Sequence, residues 1–394
     1  MKIALFGGGP ACLIAAIQLS RNHEVVIYER GKRVGRKFLV AGNGGFNLTN
    51  AKDQEDLIKN YTQHRALKNA LLQFGSNDLR IWLDNLGIST FIGTSGRVFP
   101  MKGIKPVQVL DTIISELKKN HVIIKTDTPL VGFSDEGLPL VKEGEVVLEH
   151  QADYYIYGLG GGSWSKTGSN DLWLQYFDQL GIRTLPFSPS NAGVNIDFTE
   201  EFKAKFQGFP LKNIACSVGD KEKVKGELLI TNYGVEGNAL YPLSNAIRTE
   251  LEQGGSTLII DFKPSNTLRD LEGRIQERKV LPKNYGFIFK LSKAALKLIK
   301  EFSSKEEYLN PHRLIEKLKH FEVPVQSLRP VEEAISTVGG ISLQEINHSF
   351  ELLKHPKHYV VGEMLNWDAP TGGFLLQGCF SSGMAAANDI LNKK

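Results

Sequence analysis

The sequence predicts a mixed α/β protein: a domain built on a parallel sheet, interrupted by a β-rich, barrel-like insert and a small helical subdomain. Three observations carry this prediction. A short apolar run at residues 2–6, "KIALF", ends in three glycines and leads into a helical pattern at 10–22 and a second apolar run at 24–29, "EVVIYE". Strand-like runs without helical crossovers crowd residues 189–262, and charged helical patterns follow at 267–321. From about residue 330 glycine-punctuated strand segments return, as expected of a chain re-entering its first domain. The expected boundaries are 1–188 and 325–394 for the parallel-sheet domain, 189–264 for the β-rich insert and 265–324 for the helical insert.

Taken in order, "KIALF" is short, apolar and closed by glycine, the signature of a strand buried on both faces. With the following helix and "EVVIYE" it forms one βαβ unit. Residues 64–87 place Ala66, Leu67, Ala70, Leu71, Phe74, Leu79, Trp82, Leu83 and Leu86 at helical spacing. Residues 106–119 form an amphipathic helix ending in lysines. "HVIIKTDTPLVGF" and the stretch through "YYIYGL" alternate like strands with a turn between them. The runs "AGVNIDF", "NIACSVG", "GELLITNYG" and "STLIIDF" suit a small antiparallel sheet or barrel. The lysine-rich helices at 290–320 alternate Lys with Glu and Leu, the pattern of a solvated face.

Composition bounds the function. The 394 residues are 41% hydrophobic and 23% charged, ordinary for a globular protein with room for two or three domains. A net charge of +4 favours neither nucleic acid nor membrane as partner, so a small-molecule substrate is expected. Cys12, Cys216 and Cys379 form no CxxC pair; the odd, sparse set points to a reducing compartment, hence the cytoplasm. No His/Cys grouping has zinc-site spacing, and no metal is expected. The N-terminal run resembles a signal peptide only until its glycines interrupt it, and a buried strand fits better. No run of about 18 apolar residues is present to span a membrane. Nothing in the composition selects an oligomeric state.

In "GGGPAC", Gly7 and Gly9 occupy the first two positions of G-x-G-x-x-G between a strand and a helix. The first permits a sharp turn; the second lets the backbone approach a pyrophosphate seated on the helix N-terminus. The third position is Cys12, where helix packs on strand and glycine or alanine is usual. Glu29 follows Gly9 by 20 residues, at the end of the second strand, where a carboxylate binds a ribose hydroxyl and disfavours a 2′-phosphate. A plain glycine turn is the alternative; the strand–loop–helix–strand–Glu context favours the dinucleotide.

Residues 30–50, "RGKRVGRKFLVAGNGGFNLTN", stand where a nicotinamide-dependent enzyme runs into its next helix. Arg36 and Lys37, then Gly42, Gly44 and Gly45, then Asn47, offer cations and bare backbone amides to a second anionic or polar ligand segment. A flexible loop and a solvated charge pair are the alternatives. Together with "SGRVFP", "GLGGGSWSKTGS", "GELLITNYGVEGNALYPLS" and "GEMLNWDAPTGGFLLQGCFSSG", these segments resemble, in order and over nearly the whole chain, the bacterial flavoprotein family of BaiN-like and aminoacetone-oxidase-like FAD proteins. The "NWDAPTGG" segment resembles a distinct branch. Relatives with assigned activities have "RCN" where this chain has Gly45-Phe46-Asn47.

The resemblance implies a Rossmann-like two-dinucleotide-binding FAD fold, FAD bound noncovalently, and an insert on the substrate side. By matching positions it implies FAD contacts at Ala11, Glu29, Arg36, Lys37, Gly42, Asn47 and Val131 beside the Gly7 and Gly9 turn, and at Glu363, Leu375 and Leu376 near the C-terminus. "HYVVGEMLNW" then reads as a last strand delivering Glu363, "APTGG" as a tight turn, and the final apolar stretch as a helix starting beside the flavin. Gly160, Gly161 and Gly162 allow close backbone approach or form a plain turn. Tyr233, Glu236 and Tyr241 are candidates for a substrate pocket or for core. Trp367 and Asp368 follow the inferred flavin face in sequence. His121, His150, His320, His348, His355 and His358 are expected at the surface without chemistry, and Cys379 as a packed thiol.

The expected activity is therefore FAD-dependent hydride transfer with a small organic substrate, with oxygen or NAD(P)H as redox partner and no residue marked as acid, base or nucleophile. The alternatives are a flavin-containing RNA-modification or RNA-binding factor, and an NAD-dependent dehydrogenase using the first βαβ unit alone.

Overall fold

A computed structural model describes residues 1–40, 45–165, 171–276 and 280–393. The chain forms two compact units, Met1–Ser188 with Ser336–Lys394, and Pro189–Ile335. In the first unit we number β1 (Lys2–Phe6), α1 (Pro10–Leu19), β2 (Glu24–Tyr28), α2 (Arg36–Val40), β3 (Ile123–Lys125), β4 (Tyr154–Tyr157), β5 (His358–Val360) and α3 (Phe374–Asn392). The five strands form one sheet in the order β5-β4-β1-β2-β3, every pair parallel. Ile3 to Phe6 and Val25 to Tyr28 are all buried, as a sheet covered on both faces requires.

Pro10 opens α1, where a missing N–H costs nothing. The helix stops at Leu19, short of the expected residue 22. The Ser20 hydroxyl donates to Ile17 O at 3.0 Å and the amides of Asn22 and His23 turn back to Leu19 O, competing with further helix. The helical stretch 64–87 is two helices, Arg65–Gln73 and Ser76–Asn85. The break at Gly75 leaves the Phe74 carbonyl to accept from Gln377 Nε2 at 2.9 Å and Ser381 Oγ at 2.7 Å, two buried polar groups of α3.

The C-terminal glycines have a steric reason. A Cβ on Gly383 would overlap the Ala11 carbonyl, so α3 lies directly against α1, and Gln18 Nε2 reaches Asn388 Oδ1 at 3.0 Å. Gly373, at φ +99°, precedes α3 where a Cβ would overlap the Thr49 backbone. The expected last strand is shorter than "HYVVGEMLNW": β5 ends at Val360 and Glu363 sits on a 3₁₀ turn, Gly362–Met364.

The second unit is a seven-stranded antiparallel sheet. Its two edge strands, Phe321–Val325 and Ser327–Leu328, are consecutive in the chain, so the sheet curls round on itself like a barrel. The expected β-rich and helical inserts share one core: Leu298, Ile299, Leu314 and Leu318 of the helices are buried with Leu258, Ile260 and Phe321 of the strands. Residues 325–335 also sit with this unit, because Phe321–Val325 pairs with Ser256–Asp261.

One histidine expected at the surface is buried. His358 is 7% exposed; its Nδ1 lies 3.0 Å from Tyr157 Oη, and its ring is 4.6 Å from that of Tyr155. Burial lowers its pKa to about 4, with His355 adding to the effect.

Candidate cofactor-binding site

The site forms at the carboxyl ends of β1, β2 and β4, where open parallel sheets bind ligands. Gly7 leaves β1 at φ +102°, and a Cβ there would overlap the Gly158 carbonyl at the end of β4. The Gly7 amide donates to Tyr28 O at 2.8 Å and the Gly158 amide to Phe6 O at 2.9 Å, so three strand ends are tied together. Gly9 precedes α1 without a capping side chain. The first-turn amides of α1 have no acceptor within the helix, and its dipole favours an anion.

Cys12 is accommodated rather than tolerated. Its thiol points at Phe6 O, 3.7 Å away, and a Cβ on Gly158 would lie 2.5 Å from the Cys12 sulfur. The glycine absent from the third fingerprint position is thus supplied by β4. Burial pushes the Cys12 thiol far above its ordinary pKa.

Glu29 closes β2. Its Oε2 accepts from the Gly8 amide and its Oε1 from the Gly31 amide, both at 2.7 Å, which fixes the carboxylate beside the glycine turn. Lys37, on α2, donates to Glu363 Oε2 at 2.8 Å and to Ser163 Oγ at 2.9 Å. Glu363 Oε1 in turn accepts from the Thr337 amide at 3.2 Å, and the Thr337 hydroxyl accepts from the Gly162 amide at 3.0 Å. A Cβ on Gly161 would overlap that hydroxyl. The glycine run 160–162 therefore serves close approach.

A cavity of about 340 Å³, within the usual range for small-molecule sites, gathers Gly7, Gly9, Ala11, Glu29, Arg36, Lys37, Val131 and Glu363 in its wall. Gly42 lies outside the described residues. Asn47 turns its Nδ2 to Gly45 O at 3.2 Å and is not in the wall. Leu375 and Leu376 are not in it either; α3 contributes Cys379, one turn further on. Burial, then Glu363, pushes the Cys379 thiol up to about 12. Sequence reasoning missed Arg33, Trp173 and Tyr176 of the wall. Arg33 belongs to the basic run after β2 and was legible; Trp173 and Tyr176 carry no local signal.

Other candidates lie elsewhere. Trp367 is buried and donates Nε1–H to Gly362 O at 2.8 Å, and the Asp368 amide donates to Thr62 Oγ1 at 2.8 Å. In the second unit, Tyr233 donates to Glu236 Oε2 at 2.6 Å, and the Arg329 guanidinium lies 4.1 Å over the Tyr233 ring. Among the described residues no group of His, Cys, Asp and Glu has the geometry of a metal site, and no helix is long and apolar enough to cross a membrane.

The residues fit a flavin dinucleotide. The turn has no Cβ where a pyrophosphate must approach, a carboxylate stands at the end of β2, and the cavity continues to a lysine–glutamate pair. The fold and cavity define a Rossmann-type protein of the FAD-dependent oxidoreductase class. The chain belongs to the family of the HI0933-like protein Rossmann domain, which it matches over residues 1–389. It is 25% identical over 419 residues to a 3-dehydro-bile acid delta(4,6)-reductase of Clostridium scindens, with 98% of each chain covered. It is 23% identical over 402 residues to a ribosomal RNA dihydrouridine synthase of Haemophilus influenzae, covering 98% of this chain and 97% of the other. Its fold is similar to that of a 3-ketosteroid delta1-dehydrogenase of Sterolibacterium denitrificans, with a TM-score of 0.54 at 14% identity and 100% and 99% of the chains covered.

Proposed function

We propose that this protein transfers a hydride between a small organic substrate and noncovalently bound FAD. One observation carries the reading: a single cavity joins the Gly7–Gly9 turn and Glu29 to the Lys37–Glu363 pair. When bound, FAD supplies the hydride-accepting and hydride-donating centre. The chain's residues bind and orient it. In this reading the α1 amides and Arg36 hold the phosphates, Glu29 holds ribose hydroxyls, and the Val131 peptide meets the adenine. Lys37 and Glu363 present a cation and a carboxylate to the remaining polar edge, with Gly42, Asn47, Leu375 and Leu376 expected near it. Both relatives' names describe reductions, which supports the reductive direction; NAD(P)H is the electron donor in this reading. The test is the absorption spectrum of purified protein: a yellow preparation, bleached by dithionite, that releases FAD on heating supports the reading, and a colourless one unable to take up FAD refutes it. Anaerobic mixing with NADH and NADPH then identifies the donor.

A second reading, RNA reduction, is favoured by the nearly full-length similarity to a ribosomal RNA dihydrouridine synthase. Incubation of the holoprotein with ribosomal RNA and NADPH, followed by nucleoside mass analysis, separates the two: new dihydrouridine selects RNA.

A further inference from the structure

A second cluster of charge lies in the second unit, and none of its residues belongs to the cavity wall. Asp261, 3% exposed at its side chain, binds Lys223 at 3.1 Å and Lys319 at 2.8 Å through the same oxygen. Lys319 also donates to the Lys263 carbonyl at 2.7 Å, and Lys263 donates to the Lys290 carbonyl at 2.8 Å. Arg274 Nη1 donates to Ile288 O at 3.3 Å. Burial, and then the charges of Arg274 and Lys290, lower the pKa of Lys263, and among the described residues none of the three has a carboxylate partner. Backbone carbonyls of Lys290 and Ile288 hold Lys263 and Arg274, and carbonyls leave the positive charge uncancelled.

The backbone at Lys290 sharpens the point. The Leu291 amide donates to Gly286 O at 2.9 Å, the six-to-one bond that ends a helix, and Lys290 occupies the left-handed position there at φ +50°. Glycine is the residue that relieves strain at this position. The chain keeps a lysine where a glycine holds the turn more easily, and strain of that kind concentrates at functional positions.

We infer that Lys263, Arg274 and Lys290, with Lys319 and Lys223 behind them, form a phosphate-binding site in the second unit. Lysine ammonium and arginine guanidinium groups complement a phosphate's oxygens. The shared chemistry is a phosphate oxyanion, borne by a free phosphorylated metabolite or by an RNA backbone. The inference stands on this cluster alone and survives the failure of either functional reading.

The test uses the full chain saturated with FAD, so that the glycine turn of the first unit does not compete. Inorganic phosphate is titrated at constant ionic strength and melting temperature is followed; labelled oligouridylate is titrated separately by anisotropy at several salt concentrations. Wild type is compared with the double variant Lys263→Met/Arg274→Gln, with Lys290→Gly, and with the exposed control Lys305→Gln. The expected result is a phosphate-dependent rise in melting temperature whose apparent affinity falls at least about tenfold in both cluster variants and not in the control. If oligouridylate also binds, and its log-affinity slope against log salt shrinks by about 1.4 in the double variant, the source is RNA; binding of phosphate alone assigns a small phosphorylated ligand. Because Lys290→Gly eases the turn, it stays folded even where the double variant does not. The inference is overturned by phosphate binding that is absent, or that persists unchanged in Lys290→Gly.

Discussion

Lys37 Nζ and Glu363 Oε2 meet at 2.8 Å across 326 positions of sequence, with their side chains 30% and 15% exposed. The contact joins the segment after β2 to the turn after β5 and closes the wall of the cavity. Neither residue reaches its place without the other's half of the domain.

Because the pair is partly shielded and shares partners, Lys37→Met and Glu363→Gln each lower stability by about 1–3 kcal/mol, the range for a charge-assisted hydrogen bond. The double variant costs less than the sum. A double-mutant cycle from urea melts of FAD-free protein measures this, and strict additivity refutes a coupled pair.

Gly158→Ala drives a methyl group into the Cys12 sulfur and lowers stability by about 1–3 kcal/mol. Cys12→Ala removes that sulfur and leaves only the Cys12 Cβ, 3.8 Å from the new methyl, so it rescues Gly158→Ala. Thermal melts of the two single variants and the double variant decide it; a double variant worse than either single one removes the argument.

His358 titrates at about 4 in the folded chain and near 6.5 when unfolded. Between these values the unfolded chain binds the extra proton, so stability rises with pH across that window and is lost as pH falls through it. The contribution reaches up to about 3 kcal/mol at pH 4 relative to neutral pH. Urea midpoints measured between pH 4 and 7 show this slope in wild type, and His358→Gln flattens it.

Burial holds all three thiols protonated at neutral pH: Cys216 and Cys379 are pushed up to about 12 and Cys12 further. Native protein therefore resists iodoacetamide at pH 7 and takes up three labels per chain once denatured. Rapid native labelling of Cys379 contradicts this and marks it as an accessible thiol on the cavity.

Much of the first unit was legible because its signals are local. The "KIALF" run, the glycine turn and Pro10 specify a strand, a bend and a helix start within ten residues. The family's ordered segments extended the reading to Glu363. Gly75 split the 64–87 helix because two α3 side chains need the Phe74 carbonyl, a demand from three hundred residues away. His358 was misplaced because the strand pattern "HYVV" does not say which strand lies beside it; Tyr155 and Tyr157 of β4 do.

The sequence by itself determined the glycine turn between β1 and α1, the open amides that begin α1 and the carboxylate at the end of β2, since each follows from neighbours in the chain. Tertiary structure alone decided that Gly158 makes room for Cys12, that Gly383 lets α3 rest on Ala11, and that Lys37 finds Glu363. Those are contacts between surfaces brought together by burial, and their fit depends on distances between segments that no local pattern encodes.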